Sequence, residues 1–332
     1  MHLEARGHPL HSRAQTITLA ARGDGKLDVR GSILDLRKRG FVPVAGDLQA
    51  SGVIHDMHLT GLVDPNGPVL ESIVAEQRSV AFEPSATTAG ESCRDPIGRI
   101  GALAGARLDA TWAKRLATEI GGPRGCSHLL TLAHLLGSTV GWALASEPVP
   151  GVRRAGERVF RRDLVVDGHE PAPGHLELTA QLLDLHLAPA PPVAPPMDRF
   201  AEALDVRLQM EIEFPAGRIV RIAAAERRRT RADFDRAPWR NRAAETSWLV
   251  GERLASGVAG ALIARLGDVP DGRPLLDTCL ALAPTMIQCA AAMSEAWAAL
   301  GVVGGIPDSC WMWRRDGALD RARPPAAPRA RE

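Results

Sequence analysis

The feature that most limits how this chain can fold is an internal repeat: residues 11 to 146 and residues 157 to 295 read as two copies of one unit. Leu27-Asp28-Val29 followed by Ile33-Leu34-Asp35-Leu36 recurs as Leu176-Glu177-Leu178 followed by Leu182-Leu183-Asp184-Leu185. Gly67 through Glu76 returns as Gly217 through Glu226, and Leu103 to Leu108 returns as Leu249 to Leu254. The offset drifts only from about 146 to about 150 residues along the whole match, which chance similarity does not sustain. Two tandem copies paired about a pseudo-twofold are expected, as in a fused homodimer.

Each copy reads as strands first and helices second. In copy one, Thr16 to Ala20, Leu27 to Asp35, Val53 to Val63 and Val69 to Glu76 have strand character, and Asp64-Pro65-Asn66-Gly67 turns the last two into a hairpin. Leu103, Leu108, Trp112, Leu116 and Ile120 recur at helical spacing up to Gly121-Gly122-Pro123, and a second helix is expected from Cys126 through Leu136. Copy two repeats the order with strands at Leu176 to Leu187, Asp205 to Phe214 and Ile219 to Glu226, then helices at Thr246 to Leu266 and Leu275 to Trp297. The fold class is therefore α+β, two small antiparallel sheets each followed by helices packed on one face. Copy one is assigned to 1–147, a degenerate second copy to 148–300 and a tail to 301–332. After about residue 315 the tail is mostly Arg, Ala and Pro, and it is expected to be largely disordered.

Composition excludes several classes of function. Forty basic residues against 39 acidic ones leave a formal charge of +1, which supplies no field for nucleic acid or an anionic membrane. The five cysteines are odd in number and irregularly spaced, unlike a secreted disulfide framework, so a reducing cytoplasm is expected. Met1 to Arg13 has no apolar core and does not read as a signal peptide, and even Ala281 to Met293 is too short and too interrupted to span a membrane.

Chemistry is concentrated in copy one, at His55, Asp56, Cys93, Cys126 and His128. Cys-x-His at a helix start can aim a thiolate and an imidazole at one centre, with the helix dipole favouring the thiolate. Such ligands suit zinc, or ferrous iron where coordination positions stay open. Copy two carries Leu204 for His55, Trp239 near Cys93, Arg273 for Cys126 and Leu275 for His128. Hydrophobic positions are kept while four candidate ligands vanish together. Asp56 is retained as Asp205, and Asp35 and Asp184 are likewise shared and read as structural. His58, His134 and the amino-terminal histidines have no partner visible in sequence, while Cys279, Cys289 and Cys310 read as packing residues.

Gly52-Val53-Ile54-His55-Asp56-Met57 and Gly125-Cys126-Ser127-His128-Leu129 resemble an uncharacterised bacterial family, domain of unknown function 2889. Its pattern joins an early Arg/Asp-containing strand region, a Gly-x-x-His-Asp-Met element, a middle-loop Cys and a closing Gly-Cys-Thr-His-Leu helix, with Ser127 here where Thr is usual. The resemblance implies His55, Asp56, Cys93, Cys126 and His128 as the site, and it implies no established activity. A more distant likeness is to the iron-sulfur scaffold fold, where a His in place of one thiolate and a longer loop favour a mononuclear metal. The expectation is a zinc- or iron-dependent enzyme, a lyase or hydrolase acting on a small organic substrate in aromatic or acyl catabolism. Cys93, Cys126 and His128 would hold the metal, His55 would be fourth ligand or general base, and Asp56 would orient the imidazole. The alternatives are a non-catalytic metal or iron-sulfur carrier and a pseudo-dimeric binding module without metal. The expected partners are a small-molecule substrate and the other copy, with further oligomerisation open and no nucleic acid or membrane.

Overall fold

Along the first strand His11, Arg13, Gln15, Ile17 and Leu19 are buried, while Ser12, Ala14, Thr16 and Thr18 between them are half-buried, the period-two signature of a sheet with one covered face. The computed structural model describes all residues except 41, 45–46, 192, 215, 255–256, 270, 294–304 and 323–332, and at 42–44, 47 and 48 it describes backbone alone. The strands of the first half are β1 (His8–Ala21), β2 (Leu27–Arg37), β3 (Val42–Val44), β4 (Asp47–Gln49), β5 (Gly52–Asp64), β6 (Val69–Ser79) and β7 (Ala106–Arg107). Those of the second are β8 (Arg158–Glu170), β9 (His175–Leu187), β10 (Phe200–Glu213), β11 (Arg218–Thr230) and β12 (Arg240–Asn241).

Instead of two small sheets, ten strands form one antiparallel sheet in the order β12-β11-β10-β9-β8-β1-β2-β5-β6-β7, and β3 and β4 make a separate hairpin. The join is β1 against β8, with Thr16 facing Asp163 and Ile17 facing Arg162. Pairing there satisfies backbone groups that two separate sheets would each leave bare at an edge. β8 was not among the expected strands. Residues 1–147 and 148–300 consequently share one hydrophobic core, from Leu10 and Ile17 through Leu132 to Leu208 and Cys289.

The helices are α1 (Trp112–Ile120), α2 (Ser127–Ala145), α3 (Ala243–Thr246), α4 (Val258–Leu266), α5 (Arg273–Leu280) and α6 (Leu282–Ala292). Three expected helices are broken. A 3-10 segment, Asp95–Leu103, precedes α1, and the short β7 lies between them. α3 and α4 are separated at Gly251 and Gly257, both in the left-handed region. α5 and α6 are split at Ala281, because Pro284 cannot donate a backbone hydrogen bond to Leu280 and its ring crowds that carbonyl. The expected helix end at Trp297 lies outside the described residues.

Close approach at two glycines sets the helices on the sheet. A Cβ at Gly168 of β8 would stand 2.1 Å from the Cys289 sulfur, and one at Gly137 of α2 would stand 2.2 Å from Trp112 Nε1. α2 and α5–α6 are long and apolar enough to cross a membrane by length and composition, yet 56% of each window is buried inside the fold. Part of the expected loose tail also packs: Ala318–Arg321 is one helical turn, and Met312 and Leu319 bury against Phe82 and Cys93. Trp311 N–H donates to the Gly125 carbonyl at 2.8 Å, which ties this segment to the start of α2.

Candidate functional site

Register across three strands builds the centre of the site. Arg13 on β1 lies directly opposite Asp35 on β2, and Asp35 lies directly opposite His55 on β5, at a register shift that follows Asp35. Facing residues on one side of a sheet have touching side chains, and a bulge re-aims the strand that carries it. Arg13 grips Asp35 with a fork, Nε to Oδ1 at 2.8 Å and Nη2 to Oδ2 at 2.9 Å. His11 Nε2 bonds Oδ1 at 2.9 Å, and His55 Nδ1 bonds Oδ2 at 3.1 Å. His128 enters from the first turn of α2, its ring stacked on that of His55 with centroids 3.6 Å apart.

Asp35 is 0% exposed and His55 2%, so the charge states follow from burial against partners. Burial by itself would raise the Asp35 carboxyl, but the Arg13 charge and the imidazole hydrogen bonds outweigh it and hold the group well below the usual range. For His11 and His55 burial wins over Asp35 and lowers both. Burial, then the neighbouring His55, pushes His128 well below its ordinary value. Near neutral pH the nest thus holds an ionised carboxylate, a guanidinium and three neutral imidazoles.

Gln288 Nε2 of α6 lies 3.2 Å from His128 Nε2, and the same histidine nitrogen faces Asp35 Oδ2 at 3.4 Å. One ligand atom from each of Asp35, His55 and His128 falls within 4.8 Å of the other two.

The structure therefore unites His55 with His128 and sorts the other sequence candidates differently. Cys126, the residue before α2, has its sulfur 4.0 Å from His128 Nδ1 and 4.0 Å from the Met57 sulfur. Burial pushes its thiol up to about 12, more than the N–H groups of Leu129 and His128 pull it down, so the expected dipole-favoured thiolate is overridden. Cys93 is buried against Phe82, Met312 and Leu319 rather than within the Asp35, His55 and His128 group. Burial, then the nearby Cys126 and Cys310, raises it well above an ordinary thiol. Asp56 does not orient His55. Successive strand residues point to opposite faces, and Asp56 instead accepts from His58 at 2.8 Å on the reverse side.

Sequence reasoning missed Asp35, His11 and Arg13 as parts of the site. Asp35 was set aside because Asp184 repeats it. The available signal was period two: His11 and Arg13 alternate on one strand and share a face with Asp35. Two surface hollows of about 460 and 550 Å³ lie beside α1, the first lined by Leu116, Pro123, Leu130 and His134 and the second by Arg107, Lys114 and Thr118. No residue of the nest lines either.

No curated protein matches the chain. A family model described as a protein of unknown function does match residues 11–141, a stretch that opens on His11 and takes in Arg13, Asp35, His55, Cys93, Cys126 and His128. The model matched over residues 11–141 is that of the DUF2889 family.

Proposed function

We propose that this protein is a metal-dependent enzyme for a small organic substrate, with zinc or ferrous iron held by Asp35, His55 and His128. The observation that carries the reading is the convergence of Asp35, His55 and His128, one ligand atom from each lying within 4.8 Å of the other two. The donor set fits: metals bind neutral imidazole and ionised carboxylate, the forms that burial and Arg13 maintain. Cys126 stands next to His128 as a further soft ligand whose proton a metal would displace. When bound, the ion supplies Lewis acidity, which suits lyase or hydrolase chemistry. Arg13 and His11 position Asp35.

Near-complete burial of Asp35 and His55 speaks against the labile, exposed site a metal carrier needs. The five unpaired cysteines suit a reducing compartment, and we place the protein in the cytoplasm. We further propose that the two halves are tandem copies about a pseudo-twofold at the β1–β8 join. The forks Arg13–Asp35 and Arg162–Asp184 each span 22 residues, and the strand order reads alike outward from the join. The test is metal content of the purified protein by mass spectrometry. About one zinc or iron per chain is expected, lost in His128→Gln and in Asp35→Asn with the circular dichroism spectrum retained. Metal well below one per chain and unchanged by either substitution would overturn the proposal.

A further inference from the structure

The reverse face of the second half holds an unbalanced charge cluster. Arg207 on β10 and Arg227 and Arg229 on β11 converge on one carboxylate oxygen, Asp205 Oδ2, at 3.6, 3.3 and 2.9 Å. No second acid pairs with these three among the described residues, so two positive charges stay unmatched. Each arginine side chain is only about a fifth exposed, at 22%, 20% and 19%. Arg207 also donates from Nη1 to the Met1 carbonyl at 2.6 Å, but a neutral carbonyl brings no counter-charge, and partly desolvated cations short of counter-charge favour an anion beside them.

Three further observations give the cluster the form of a site. Arg207 and Arg227 lie over the Trp239 ring, each guanidinium carbon 4.6 Å from its centroid, so that the indole holds them side by side. The Nε–H groups of Arg207, Arg227 and Arg229 are buried without a hydrogen-bond partner. Asp205 is 1% exposed, and its Oδ1 is likewise buried without a partner. That oxygen is an acceptor beside a cationic cluster, so a suitable guest carries negative charge for the guanidiniums together with a hydroxyl of its own to donate. Monohydrogen phosphate has both, whereas sulfate at neutral pH has only the charge.

We propose that Arg207, Arg227, Arg229 and Asp205, beside Trp239, form a binding site for inorganic phosphate on the sheet face opposite the histidine nest. The experiment is thermal melting of the full chain at pH 7.5 with ionic strength held constant by chloride, titrated with phosphate and in parallel with sulfate. A saturable rise in melting temperature with phosphate is expected, with sulfate weaker by about tenfold or more and the response lost in Arg227→Gln/Arg229→Gln. His128→Gln should leave the response intact, which separates this site from the metal centre. Phosphate should also change the tryptophan fluorescence of the native chain and not that of Trp239→Phe, a readout that survives if the double variant melts poorly. No saturable rise, an equal response to sulfate, or a response unchanged in Arg227→Gln/Arg229→Gln would overturn the proposal.

Discussion

Two forked Arg–Asp pairs lie on the helix-covered side of the same sheet and do different work. Arg13–Asp35 is ringed by His11, His55 and His128, whereas Arg162–Asp184 meets Asp277, Thr139 and the hydrophobic Leu204. The second nest is closed: Arg162 Nη1 donates to Asp277 Oδ2, and Ser138 of α2 caps both oxygens of that carboxylate at 2.8 and 2.6 Å. The first leaves a buried His11 Nδ1 without a partner and brings one ligand atom each of Asp35, His55 and His128 within 4.8 Å of one another. A polar group placed in a core must be fully partnered to serve stability, and one left partly unsatisfied points to chemistry. By this criterion the second nest is a cross-brace between α2, α5 and the sheet, and the first is the candidate site.

The comparison breaks most readily at the arginines. Arg162→Met leaves Asp184 and Asp277 buried together with no cation, and it should cost about 3–5 kcal/mol of unfolding free energy in urea. Arg13→Met leaves a single carboxylate that still accepts from His11 and His55, and it should cost clearly less. Equal losses would mean that both nests are structural braces.

How much of this was legible in the sequence depends on where the deciding contact lies. Strands β2, β5, β6, β9, β10 and β11 follow from alternation and turn residues, which are local. The β1–β8 join was not legible, because β8 carries Arg161, Arg162, Asp163 and Asp167 among its apolar residues, and the pairing that buries Arg162 is supplied by α5. His55 and His128 stood out because Leu204 and Leu275 stand at the aligned positions of the second half. Asp35 was hidden by the same comparison, since Asp184 occupies the matching place in a nest with another purpose. Asp56 was misjudged through adjacency: beside His55 in the sequence, it is across the sheet in space.

Acid should expose the difference next. The folded-state pKa values of His11, His55 and His128 are lowered, so the unfolded chain takes up protons first as pH falls below about 6.5. Stability of the metal-stripped protein should therefore be flat above that pH and decline beneath it. The slope is about 1.4 kcal/mol per pH unit for each imidazole that stays neutral. Asp35, whose folded value is depressed, adds its loss only below the ordinary carboxylate range. His186, held to about 4 by burial, contributes from the other half. Melting from pH 8 to pH 5 in native protein and in His11→Phe/His55→Leu separates the shares, and the variant should be the flatter. Parallel curves would remove the first nest as the source.

The smallest effect sharpens the comparison most finely. Phe160 occupies on β8 the place that His11 occupies on β1, two residues before the forked arginine, and its ring meets His186 edge-on with centroids 4.6 Å apart. His11→Phe would give the first nest the side chain of the second. It removes a hydrogen bond to Asp35 and also removes the unpartnered Nδ1, two changes of opposite sign, so stability should move by no more than about 1 kcal/mol. Metal content should stay at one per chain, because His11 Nε2 faces the oxygen of Asp35 that His55 and His128 do not share. If His11→Phe instead strips the metal while the fold is retained, His11 belongs among the ligands, and the division between positioning and binding residues shifts by one imidazole.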